Sequence, residues 1–140
     1  GGGRMASGGP NEVWSYGETL YEMCRKYMFL RERLRPYITG LMQDAHENGT
    51  PVIRPMFYDF PEDKKCWTLD CQYMFGGSLL VAPVMEAGQR AKTVYLPAGT
   101  WYNAWTGEAV EGGRTVEADA PLTVIPVYTR DPGLLEVFRG

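Results

Sequence analysis

The run Thr50–Pro61, TPVIRPMFYDFP, followed after one amphipathic turn by Gln72–Val84, QYMFGGSLLVAPV, decides how this chain is read. It joins a short apolar strand, a helical connector and a second apolar strand, with Pro or Gly at each join. Val52–Phe60 is apolar on both faces apart from Arg54 and Asp59, the pattern of a parallel strand covered by helices on one side and packed inward on the other. Pro55 falls inside it, and a proline is tolerated only at a sheet edge or a bulge, so the strand's place in its sheet stays open at this point. Pro61-Glu62-Asp63 reads as a helix start, with acids near the positive end of the helix dipole, and Lys64–Met74 continues as a short helix that stops at Gly76-Gly77.

Upstream, Leu20, Cys24, Tyr27, Leu34, Ile38, Leu41 and Ala45 recur at helical spacing between Glu18 and Asn48. Pro36 interrupts that stripe, because proline removes one backbone bond and clashes with the preceding turn, and the helix is expected to break between Arg33 and Pro36. Asn48-Gly49 supplies a left-handed stop. Downstream of Gly77 the period falls to two. Strands are expected at Leu79–Val84, Thr93–Leu96, Gly99–Trp105, Arg114–Ala118 and Leu122–Tyr128, with turns at Glu86-Ala87-Gly88, Pro97-Ala98-Gly99, Thr106-Gly107, Gly112-Gly113 and Ala120-Pro121. The expected fold class is α+β: a helical half and an all-β half meeting near Gly77, the second a small antiparallel sandwich or barrel.

Composition narrows the function. In 140 residues, 44% hydrophobic and 22% charged side chains describe a globular chain, which excludes disorder, collagen and coiled coil. A net charge of -3 without a run of Lys or Arg offers nothing to phosphate backbones or anionic lipid, so no nucleic acid and no membrane partner is expected. No stretch approaches the roughly 18 to 20 apolar residues of a membrane span, and no signal-peptide core opens the sequence. Cys24, Cys66 and Cys71 are odd in number and lack zinc-site spacing, which points to a reducing, cytoplasmic setting, with a Cys66–Cys71 pair as the minor alternative. Residues 1–9, opening GGGRMA, read as a cloning remnant or linker.

Four longer segments carry a resemblance: PNEVWSYGE (Pro10–Glu18), FLRERLRPYITGLMQDAHENGTPVIRP (Phe29–Pro55), VYLPAGTWYNAWTGEAVEGG (Val94–Gly113) and APLTVIPVYTRD (Ala120–Asp131). In this order, from about Gly9 to Asp131, the chain resembles family 31 of the glycoside hydrolases, the α-glucosidases and α-xylosidases. The resemblance implies that residues 10–77 form the C-terminal end of a (β/α)8 barrel, helices plus its last strand Val52–Phe60, and that residues 78–140 form a β-sandwich. It implies a retaining α-glycosidase acting on terminal α-linked glucose or xylose, whose two carboxyl groups stand roughly 5 to 5.5 Å apart. The family's nucleophile motif, of the type Asp-Met-Asn-Glu, and its acid loop are both missing here, as is the histidine expected just before Pro10. The implied chain therefore has no catalytic residue, no metal and no cofactor, and its α-glycoside substrate belongs to a longer parent.

Two residues are candidates for touching that substrate. Asp59 sits at the C-terminal end of the expected barrel strand, where barrel enzymes place active groups; the plainer reading is an ion pair with Arg54. Trp14, with Tyr16, would line the rim of the parent pocket. Trp101, Tyr102 and Trp105 invite a sugar-platform reading, but alternation puts Trp101 and Trp105 on one strand face and Tyr102 on the other, which favours core packing. Glu62 and Asp63 read as a solvated helix start, His46 as a cation at a helix end, and Cys24 as a small core residue. The competing reading is a free-standing β-sandwich module that binds a glycan through Trp101 or Trp105, and a third is a purely structural piece. A single barrel strand leaves unpaired backbone groups, so self-association of the chain is expected.

Overall fold

The computed structural model describes residues 25, 27–69, 71–83, 91–119 and 125–139. Trp14, Tyr16 and Cys24 lie outside the described residues.

Helix α1, at 27–33, and helix α2, Arg35–Asn48, meet at Leu34, which forms a turn at φ -80 and ψ -5. The expected break is there, and its cause is visible. Pro36 stands in the first turn of α2, where a missing N–H leaves no bond unmade, while Leu34 N–H to Leu30 (2.8 Å) and Ile38 N–H to Leu34 (2.9 Å) carry the helical register across the joint. Gly49 ends α2 in the left-handed conformation at φ 72, its N–H donating to the Ala45 carbonyl at 3.0 Å.

Val52–Phe60 is not one parallel strand. Strand β1 is only Ile53–Pro55, and it pairs antiparallel with β2, Tyr73–Phe75, in the register Ile53↔Phe75 and Pro55↔Tyr73. Met56–Asp59 coils into a single helical turn, α3. Pro55 causes the change: at φ -64 and ψ 157 it is extended but has no N–H to continue a ladder, and its fixed φ suits the residue that enters a helix. β1 stands at the end of the sheet order, the edge position where proline is tolerated. The helix expected over Lys64–Met74 is likewise shorter, a 3-10 turn at Lys64–Trp67 capped by Asp63, and Tyr73–Phe75 belongs to the sheet instead.

β2 turns into β3, Leu79–Val81, through Gly76, whose φ of 68 excludes most side chains; a Cβ there would stand 2.7 Å from Leu41 Cδ2 and collide with the Tyr37 hydroxyl. Gly77, where the sequence places the junction of two units, lies in this hairpin turn, and hydrogen-bonded strands run to both sides of it. The six-stranded sheet has the order β1-β2-β3-β8-β5-β6, with β5 at Thr100–Asn103, β6 at Ala109–Glu111 and β8 at Val127–Thr129. β4, Ala91–Leu96, and β7, Arg114–Asp119, make a separate two-stranded ribbon. Every ladder among the described residues is antiparallel, so the molecule is a small α+β domain in which the expected parallel barrel pairing is not seen.

The long sheet is apolar on both faces, and the two faces serve different layers. Leu80, Met74, Tyr128 and Trp101 meet Val94, Leu96 and Ala118 of the ribbon, with Met56 and Cys66 closing the end. Leu79, Val127 and Ala104 instead meet Leu30 and Leu34 of the helices and Phe138 of the C-terminal helix α4, Leu135–Arg139. Gln72 stitches sheet to ribbon by imitating a strand: its Nε2 donates to the Tyr95 carbonyl (2.7 Å) and its Oε1 accepts from the Tyr95 N–H (2.9 Å).

Candidate functional site at the end of strand β1

The residues with chemical potential gather where β1 gives way to α3. One helical turn returns the chain far enough for Arg54 Nη1 to donate to Asp59 Oδ1 at 2.7 Å, with the two side chains only 10% and 12% exposed. Arg54 Nε donates to the Pro51 carbonyl at 2.8 Å, and the guanidinium lies 5.2 Å from the Tyr58 ring centroid. Asp59 Oδ2 is buried and has no hydrogen-bond partner among the described residues. The ion pair expected between Asp59 and Arg54 is thus formed. On the far side of Gly77, Arg130 donates through Nε (3.0 Å) and Nη2 to the Gly77 carbonyl and covers the Phe60 ring at 4.8 Å. Tyr37 ties α2 to the same hairpin, donating to the Phe75 carbonyl (2.7 Å) and accepting from the Ser78 N–H (3.2 Å).

A second polar knot lies one turn on. Asp63 Oδ1 accepts from the Lys65 N–H at 3.1 Å and Oδ2 accepts from the Tyr95 hydroxyl at 2.6 Å. The bond to the Asp63 carboxylate pushes the Tyr95 phenol up to about 12, with burial adding to it. Burial, and then the same carboxylate, pushes the Cys66 thiol up to about 11. Both groups are held in their neutral, unreactive forms at neutral pH, the opposite of an activated nucleophile. Asp63 is a bracket between the 3-10 turn and β4 rather than a bare solvated acid.

The aromatic candidates separate. Trp101 is fully buried, its indole N–H donating to the Pro97 carbonyl at 2.8 Å, so it offers no face to a ligand. Trp105 does not share its surroundings, because β5 stops at Asn103 and the chain turns at 104–106; its ring meets Phe138 edge-on at 5.1 Å and Tyr27 at 5.9 Å. The one-face reading of Trp101 and Trp105 is corrected by that early strand end. Trp67, not among the candidates read from the sequence, is 57% exposed and stacks on Phe57 at 4.3 Å with 9° between the planes, its indole N–H donating to the Pro61 carbonyl at 2.9 Å. Nothing in its spacing marks it, since the stretch around it reads as helix. His46 is exposed in the last turn of α2. Among the described residues no three His, Cys, Asp or Glu side chains are placed to hold a metal ion, and no helix is long and apolar enough to cross a membrane.

Residues 49–134 match the family model described as the glycosyl hydrolase family 31 C-terminal domain. An alpha-xylosidase of Saccharolobus solfataricus is 38% identical over 127 residues, covering 90% of this chain and 17% of that protein. The lysosomal alpha-glucosidase of Mus musculus is 44% identical over 141 residues, covering 87% of this chain and 15% of that protein. Among solved structures, a GH31 alpha-xylosidase from a soil metagenome, complexed with xylose, superposes with a TM-score of 0.83 at 46% identity, over 94% of this chain and 20% of the other. The chain spans about a fifth or less of the length of these proteins.

Proposed function

Since this chain belongs to glycosyl hydrolase family 31 and carries that family's C-terminal domain, we propose that it serves as the frame of a retaining α-glycosidase and supplies none of its chemistry. The parent's substrate class is a terminal α-linked glucose or xylose, in keeping with the alpha-glucosidases and alpha-xylosidases the chain is similar to. The observation that carries the reading is the Arg54–Asp59 pair. The acid best placed to act, at the end of β1, is taken up by a buried guanidinium at 2.7 Å, whereas a retaining mechanism needs two carboxyl groups roughly 5 to 5.5 Å apart with one poised as a proton donor. In this reading the catalytic barrel is supplied by the rest of the parent, and the outer edge of β1, which pairs only with antiparallel β2 among the described residues, is the side that faces it. The Tyr37, Arg54 and Arg130 contacts then fix the angle between that barrel and the antiparallel sheets.

A graft tests the proposal. Residues 49–134 of this chain replace the corresponding segment of the Saccharolobus alpha-xylosidase. The expected chimera folds and hydrolyses its glycoside, and the same chimera with Asp59→Ala loses folded protein rather than turnover per folded molecule. A chimera that folds well but turns over nothing would contradict a purely framing role.

One observation favours a second reading, a glycan-binding surface. Trp67 presents an open indole face on a rigid backing of Phe57, the arrangement on which a pyranose ring packs. Titrating the chain with methyl α-glucoside and methyl α-xyloside while following tryptophan fluorescence decides it, saturation that disappears in Trp67→Ala being required.

A further inference from the structure

Asn48-Gly49 is the one Asn-Gly pair of the sequence, and it sits at the exposed C-terminal end of α2. Two bonds hold it. The Gly49 N–H donates to the Ala45 carbonyl at 3.0 Å, and Asn48 Nδ2 donates to Asp44 Oδ1 at 2.7 Å. The bonds that Asp44 receives from Asn48 and Thr50 keep its carboxyl below the usual range, so at neutral pH it is a charged acceptor gripping the Asn48 amide.

We propose that Asn48 is a site of spontaneous covalent modification, deamidating through a cyclic imide at a rate held down by the Gly49 cap and the Asp44 clamp. The Gly49 amide nitrogen, having lost its proton to solvent base, attacks Asn48 Cγ. A new N–C bond forms, the Cγ–Nδ2 bond breaks, and the nitrogen leaves as ammonia with a proton taken from water. Water then adds to one of the two imide carbonyls and opens the ring to aspartate or isoaspartate; the sequence needs water alone and no change of oxidation state. Glycine is the following residue that obstructs the attack least, since it has no Cβ beside the nucleophilic nitrogen. While the last turn of α2 is closed, however, the Gly49 N–H points at Ala45 and the Asn48 amide is pinned to Asp44. Helix ends open at small free-energy cost, so the reaction proceeds from the frayed turn and the closed turn slows it.

The product is not neutral to the fold. A carboxylate takes the place of a donor opposite Asp44, at the negative end of the α2 dipole, and isoaspartate also lengthens the backbone just before β1. That joint leads into Pro51, whose carbonyl holds Arg54.

The test incubates the 140-residue protein at mildly alkaline pH, folded and in guanidinium chloride, beside folded Asp44→Ala and Asn48→Gln chains. Aspartate and isoaspartate at position 48 are followed by peptide mass mapping and isoaspartyl methyltransferase labelling. Conversion at Asn48 is expected in both wild-type samples, several-fold slower in the folded one, faster in folded Asp44→Ala than in folded wild type, and absent from Asn48→Gln. Equal rates in folded and denatured wild type, an Asp44→Ala chain no faster than wild type, or a folded protein that stays unmodified while the denatured chain converts fully would each overturn the proposal.

Discussion

Arg54 and Asp59, five residues apart in sequence, face each other at 2.7 Å across the single helical turn that ends β1, both nearly withdrawn from solvent. A pair of that kind holds a joint together. Removing one partner strands the other as a buried charge, and Asp59→Ala is expected to destabilise the protein by about 3 kcal/mol, read as a fall in the urea midpoint. Replacing both, Arg54→Met with Asp59→Leu, recovers most of the loss, because the desolvation cost disappears along with the attraction. A loss below about 1 kcal/mol for Asp59→Ala would place the pair among ordinary surface contacts.

Gly76 and Gly49 have nearly the same backbone, φ 68 and φ 72, but different surroundings. Gly49 has nothing within 4 Å of where a Cβ would stand, so Gly49→Ala meets only the conformational penalty, about 1 kcal/mol. Gly76→Ala adds a collision with Tyr37 and Leu41 and is expected to cost about 3 kcal/mol or more. Equal effects in thermal unfolding would show that the α2 helix does not press on the β2–β3 turn.

The Tyr95 phenol is raised from 10.0 to about 12 and the Cys66 thiol from 9.0 to about 11 in the folded chain. For each group the folded value lies above the unfolded one. The stabilisation each confers is therefore complete below its unfolded value and is lost as pH rises through the folded one. Stability should hold up to about pH 9 and then fall progressively toward about pH 12, and Tyr95→Phe should flatten the upper part of that limb in urea midpoints taken across the range. An alkaline limb unchanged in Tyr95→Phe would remove Tyr95 from the account.

Trp101 is the large ring at the centre of the sheet-to-ribbon core, and Trp101→Ala is expected to cost about 4 kcal/mol and lower the near-ultraviolet circular dichroism. A Trp101→Ala chain that is as stable as wild type but fails to bind a glycoside would restore Trp101 as a ligand platform.

Sequence reading reached the features whose cause is local. Pro36 and Gly49 act through their own backbones, so the helix joint at Leu34 and the left-handed stop were legible. β3, β4, β5 and β7 overlap the expected strands at Leu79–Val84, Thr93–Leu96, Gly99–Trp105 and Arg114–Ala118, whereas the run Leu122–Tyr128 meets β8 only at Val127 and Tyr128 and β6 carries no mark in the sequence; the Arg54–Asp59 pair follows from two opposite charges in an otherwise apolar run. What failed depended on partners distant in sequence. Tyr73–Phe75 falls inside an expected helix because its strand character comes from pairing with Ile53–Pro55 and Leu79–Val81 on either side. Val52–Phe60 is not parallel because its partner β2 runs antiparallel to it, while its end after three residues is local and set by Pro55. Gln72 carries no local mark at all, since its role is set by a strand more than twenty residues away.

The scaffold role is tested most directly by incubating the purified 140-residue chain with aryl α-glucoside and aryl α-xyloside and following release of the aryl alcohol. No release above that of an identically prepared host control is predicted. Release that persists after exhaustive removal of host enzymes and tracks this chain through successive columns would contradict it.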